Sequence, residues 1–192
     1  AQLLLSAGAS VDQAQNDGAT PLYVSCQNGH KDVAQLLLSA GASVDQANND
    51  GATPLFISCQ NGHTDVAQLL VSAGASVDQA ENDGATPLYI SCQNGHKDVA
   101  QLLLSARASV DQATNDGATP LFVSCQEGHK DVAQLLLSAR ASVDQANNDG
   151  ATPLMVAAYL NHKPLLRTLL EHHADPSLER AQDGATALHL AA

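Results

Sequence analysis

Residues 18–50 read GATPLYVSCQNGHKDVAQLLLSAGASVDQANND, and the chain repeats that stretch with few changes at 51–83, 84–116 and 117–149. The first two copies differ at five positions: Tyr23/Phe56, Val24/Ile57, Lys31/Thr64, Leu38/Val71 and Asn48/Glu81. A fixed period of this length signals a stack of small units, none of which buries its apolar face alone. Around these copies, 1–17 is a partial unit, 150–183 a divergent one and 184–192 a second partial one. Such an array is one domain with one continuous core.

Each unit predicts two short helices. Thr20 followed by Pro21 marks a helix start, with a capping hydroxyl and a φ pre-set for the first turn. Leu22, Ser25 and Cys26 follow at helical spacing, and Gly29 closes the helix. A second helix is predicted from about Lys31 to Ala40. Asp32 lies in its first turn, where the helix dipole favours an acid. Val33, Leu36, Leu37 and Ala40 form its apolar stripe, and Gly41 suits a left-handed C-cap. The polar run from Val44 to Gly51 ends in an Asn-Asp-Gly turn signal. The unit is therefore helix, tight turn, helix and projecting loop.

This pattern, DGATPL, then GH, then LLLSAGASVD, resembles the ankyrin repeat, and the resemblance covers essentially all 192 residues. It implies an all-α solenoid of stacked helix-turn-helix units with short β-hairpin fingers. The chain departs from the family pattern in four places. The His of TPLH becomes Tyr23, Phe56, Tyr89, Phe122 and Met155 and survives only as His189. The Gly ending the second helix becomes Arg107, Arg140 and His173, and the finger Asn becomes Asp45, Asp78, Asp111 and Asp144. The fifth unit carries Tyr159-Leu160 where the others have Gln27-Asn28 or its equivalents, and Asn161 replaces its turn Gly.

Composition narrows the functional classes. Hydrophobic residues make up 44% but aromatics only 3%, so Leu, Val and Ala must fill the interior. The net charge of −12, from 20 acidic and 8 basic side chains, argues against nucleic acid and favours a protein partner with a neutral or basic surface. No apolar run approaches the roughly 20 residues of a membrane span, so no membrane insertion is expected, and AQLLLSAGAS lacks the basic start of a signal peptide.

Neither the histidines nor the cysteines predict chemistry. Cys26, Cys59, Cys92 and Cys125 share one repeat position, so they form a ladder at helix spacing of about 8–10 Å, beyond the roughly 7 Å Cα separation of a disulfide. Free buried thiols suit a reducing, intracellular and cytoplasmic compartment. His30, His63, His96, His129 and His162 form a second ladder whose rungs cannot converge on one metal ion. Catalytic motifs such as GxSxG and HExxH do not occur, so neither an enzyme nor a cofactor is expected.

The resemblance implies partner contacts at the finger tips and on the exposed side of the first helices. The tips are Asn16, Asp17 and Ala19; Asn49, Asp50 and Ala52; Asn82, Asp83 and Ala85; Asn115, Asp116 and Ala118; Asn148, Asp149 and Ala151. The helix positions are Gln27, Asn28, Gln60, Asn61, Gln93, Asn94, Gln126 and Glu127, then Tyr159 and Leu160. Hot spots favour aromatic anchors over short amides, which singles out Tyr159 and Leu160. The expected function is a protein–protein interaction scaffold. The alternatives are a targeting or regulatory array of a larger enzyme or channel, and an engineered or mechanical array without a dedicated ligand. The near-identity of the rungs fits recent duplication, consensus design or a repetitive partner. The chain opens inside a second helix and stops inside a first helix, which predicts exposed apolar ends able to stack end to end.

Overall fold

Thr20 caps the first complete unit as the sequence predicts: its hydroxyl accepts a hydrogen bond from the Tyr23 N–H at 3.2 Å, and Pro21 opens the helix. The same cap recurs at Thr53, Thr86, Thr119 and Thr152. The computed structural model describes all residues, Ala1–Ala192. It contains α1 (Gln2–Ser6), α2 (Pro21–Gln27), α3 (Lys31–Ser39), α4 (Pro54–Gln60), α5 (Thr64–Ser72) and α6 (Pro87–Gln93). These are followed by α7 (Lys97–Ser105), α8 (Pro120–Gln126), α9 (Lys130–Ser138), α10 (Pro153–Tyr159), α11 (Lys163–Glu171) and α12 (Ala187–Ala191). Even-numbered helices pack side by side in one layer, α2 on α4 through to α10 on α12. From α3 to α11 the odd-numbered helices form a second layer behind them.

Between the layers runs one apolar cluster. Leu22, Leu55, Leu88 and Leu121 are completely buried, as is each cysteine. On the second helices of the second to fourth units the buried set is Val66, Ala67 and Leu70 and their equivalents, with Leu69 half-buried. Ala40, assigned to the stripe by periodicity, is exposed, whereas Ala34 is buried. The helix packs against its own first helix and against a neighbouring second helix, so its covered face is wider and rotated from the simple stripe. Leu3, Leu4 and Leu188 are exposed at the two ends of the stack.

The fingers carry no β-strand, contrary to the hairpin expectation. Each is a tight turn with one backbone bond between its arms and one across the turn, as in Asn48 N–H to the Ala52 carbonyl at 3.0 Å and Gly51 N–H to the Asn48 carbonyl at 3.1 Å. Ala52 is followed at once by the helix cap Thr53, which leaves no length for a second rung.

Three ladders of hydrogen bonds couple one unit to the next. At the finger tips, the Asn49 backbone N–H donates to the Asp17 carbonyl at 2.9 Å, and its side-chain amide donates to the Asn16 carbonyl. Asn82, Asn115 and Asn148 repeat both bonds. At the finger base, the Asp45 carboxylate accepts from the Ser76 N–H at 3.0 Å and the Ser76 hydroxyl at 2.8 Å. Asp12, Asp78 and Asp111 do the same for Ser43, Ser109 and Ser142. At the helix turn, Nε2–H of His63 donates to the Gln27 carbonyl at 3.1 Å, and His96, His129 and His162 follow suit. The histidine ladder thus has a structural use, linking each unit to the one before it.

Arg107, Arg140 and His173 hold φ of 67°, 67° and 64°, the left-handed conformation expected for the glycine they replace. Such a conformation costs a non-glycine residue about 1–2 kcal/mol. A cationic arginine beside the helix C-terminus offsets part of it.

Candidate interaction surface

The fingers and the first helices share one side of the stack. The residue that replaces the family His, aromatic in four units and methionine in the fifth, lies on the first helix there. Tyr23, Phe56, Phe122 and Met155 are buried there and Tyr89 half-buried. The acidic fingers lie close enough to act on the two phenols. Burial, then the charges of Asp116, Asp83 and Glu127, push the Tyr89 hydroxyl up to about 12. Tyr23 is raised by burial and by Asp50, Asp17 and Glu81. In the last unit His189 instead takes the family role, its Nδ1 accepting from the Thr186 hydroxyl at 2.9 Å.

The residues singled out from sequence divide three ways. Ala52, Ala85 and Ala118 are buried, at 4%, 2% and 3% exposure. Asn49, Asn82, Asn115 and Asn148 are exposed, but their side-chain amides are tied to the preceding finger. Asn61 and Asn94 likewise donate to the carbonyls of Gln27 and Gln60. Exposed carboxylates remain at Asp50, Asp83, Asp116 and Asp149, and Glu127 and Gln126 are exposed between them. Gln60 and Gln93 are half-buried. Tyr159 stands 70% exposed and Leu160 40%. Tyr159 borders an open groove of about 350 Å³ with Phe122, Met155, Val156, Arg180 and Leu190, whereas Leu160 lies outside it.

Asp45, Asp78 and Asp111 stand where the family pattern has the finger Asn. The structure makes them acceptors for the next unit, at a constant separation of 31 residues from the serine they bind. That recurring Asp–Ser spacing was the available signal. The thiols behave as core groups: burial pushes Cys26, Cys92 and Cys125 up to about 12, against a hydrogen bond with the neighbouring serine. The adjacent His172 and His173 diverge, His172 donating to the Thr168 carbonyl while His173 is exposed.

One finger departs from the others chemically. Asn48 uses its side-chain oxygen to accept from the N–H groups of Asp50 and Ala52. Glu81 replaces it in the next unit. Partial burial, the charges of Asp83 and Asp50 and a hydrogen bond with Asp83 push its carboxyl up to about 7. An acid whose folded value is raised contributes stability in full below the unfolded value of about 4.5, and that contribution is lost as pH climbs to about 7. Glu81→Asn should remove this slope and raise stability at pH 8 by about 1 kcal/mol, after allowance for solvent screening. Urea titrations across this range are the check, and parallel pH profiles for the two proteins would refute it.

Family comparison agrees with this geometry. Three copies of a model described as ankyrin repeats match residues 1–81, 73–147 and 139–192. The chain belongs to the ankyrin repeat family. Its fold is similar to the crystal structure of the human ASB11 ankyrin repeat domain, with a TM-score of 0.92 and 31% identity over 100% of this chain and 85% of that one. No curated protein matches the sequence. Ankyrin repeats are in general protein–protein interaction modules and non-catalytic scaffolds. No helix of this chain is long and apolar enough to cross a membrane.

Proposed function

We propose that this ankyrin array is a protein-binding scaffold, without catalysis of its own, that takes its partner on the concave face between the fingers and the first helices. The observation that carries this reading is Tyr159, a 70% exposed aromatic bordering an apolar groove in a chain with few aromatic residues. A pre-formed surface loses little ordering entropy on binding, so modest contacts suffice. Four free, buried thiols suit a reducing, cytoplasmic setting. The partner is expected to be neutral or basic where it meets the finger carboxylates.

Affinity capture with mass spectrometry, using the Tyr159→Ala protein as the control, tests the reading. Partners of the concave face should be recovered by the parent and lose about tenfold or more in affinity for the variant. Its melting temperature should stay unchanged, because the side chain lies largely outside the core. Unchanged binding by Tyr159→Ala would dismiss the anchor. Exposed Leu3, Leu4 and Leu188 favour end-to-end association as a second contact between copies, and a strict monomer by sedimentation at high concentration would dismiss it.

A further inference from the structure

The fingers and first helices of the regular units carry acidic side chains but no basic ones, an asymmetry that the chain's net charge alone does not require. None of the 8 basic side chains falls within residues 12–27, 44–60, 77–93 or 110–126, which supply the fingers and first helices of the four regular units. The lysines lie at the starts of the second helices, and Arg107 and Arg140 at their ends. Within the face, Tyr89 feels the carboxylates of two successive fingers, Asp83 and Asp116, together with Glu127. Tyr23 likewise feels Asp17 and Asp50. The channel therefore presents carboxylates from successive fingers with no internal cation to neutralise them. At its far end it meets the apolar groove of Phe122, Met155, Val156, Tyr159 and Leu190. The one cation beside that groove, Arg180, is already held by Asp183.

Pitch then selects the occupant. Packed helices stand about 8–10 Å apart, so equivalent carboxylates recur at about that interval. A polyproline II segment has three residues per turn and advances about 9.3 Å per turn. It returns the same face to every rung. A β-strand is excluded by its period of two, which would turn every third side chain to the opposite face. Resting on the concave-face reading above, we propose that the channel takes a basic polyproline II segment of a partner protein. Lys or Arg would stand at every third position, and one large apolar side chain would seat beside Tyr159. Near-identical rungs then have a use: they read spacing, where varied rungs would read side-chain identity.

The test uses synthetic peptides and the full chain. One peptide carries about four Lys-Pro-Ala repeats with Phe at one end, made in both directions, and its isomers gather the same lysines into a block. Fluorescence anisotropy should show the spaced peptide, in its favoured direction, binding about tenfold more tightly than its isomers. Tyr159→Ala should weaken that peptide by about tenfold. Asp83→Asn with Asp116→Asn should weaken it and flatten its salt dependence. Both asparagines keep an oxygen for the Ala85 and Ala118 N–H groups that the carboxylates now bind, so the fingers stay closed. Equal affinity for spaced and blocked lysines would overturn the spacing rule and leave the concave site standing. Binding indifferent to all three substitutions would overturn the site itself, and no binding of any peptide to the parent would overturn the proposal.

Discussion

Gly62→Ala is expected to destabilise the array by about 2–3 kcal/mol, far more than one methyl group on a surface turn usually costs. Two effects add. Gly62 has φ +72°, so alanine there carries the left-handed penalty of about 1–2 kcal/mol. The new Cβ would also lie 2.7 Å from both Cε1 and Nδ1 of His96, closer than real contacts allow. The ring must move, and moving it breaks the Nε2–H bond to the Gln60 carbonyl at 3.0 Å, worth about 1 kcal/mol. Asn161 illustrates the conformational part alone, holding φ of 57° at the same place in the divergent unit. A double-mutant cycle separates the two effects. With His96→Ala already present, Gly62→Ala should cost only the left-handed penalty. If urea unfolding gives the same loss in both backgrounds, the glycine serves its own turn and has no part in the seam between units.

That seam also marks how far the sequence could be read. The helices were legible because each boundary has its own local chemistry: Thr-Pro at the start of the first helix, Gly29 at its end, Gly41 after the second. Stacking followed from the period, since no unit so small covers its leucines. The substitution of Gly by Arg107 and Arg140 correctly foretold left-handed arginines. Contacts between units were not legible, because a repeat shows which positions recur without showing which recurring positions meet. Asp45 and Ser76 each look like solvated polar residues until the stack brings one finger base beside the next. Ala52 was assigned to the tip from the family pattern, but tight finger packing closes over it. Tyr159 stands out in the sequence because it breaks the repeat, and its side chain is exposed.

Leu88→Ala is expected to cost about 3–4 kcal/mol and to divide the array. Leu88 is completely buried in α6, the first helix of the third unit, which packs against α4 on one side and α8 on the other. A leucine cut to alanine in such a site loses its transfer free energy and leaves a cavity that rigid neighbours fill only in part. In an ordinary domain that loss lowers one transition. In a linear stack, stability is a sum of unit and interface contributions, so damage to one unit weakens both of its interfaces. The unfolding curve should broaden toward two steps as the flanks separate. The cysteine ladder reports where the chain opens, because each regular unit holds one buried thiol that reacts only when exposed. Under mild urea, Cys92 should be alkylated ahead of Cys26, Cys59 and Cys125, as read by peptide mass spectrometry. Leu88→Met, which conserves volume, should cost less than about 1.5 kcal/mol and keep a single transition. A loss below about 1 kcal/mol for alanine, with all four thiols still labelled together, would mean that the stack does not draw its stability from leucines sealed between neighbouring units.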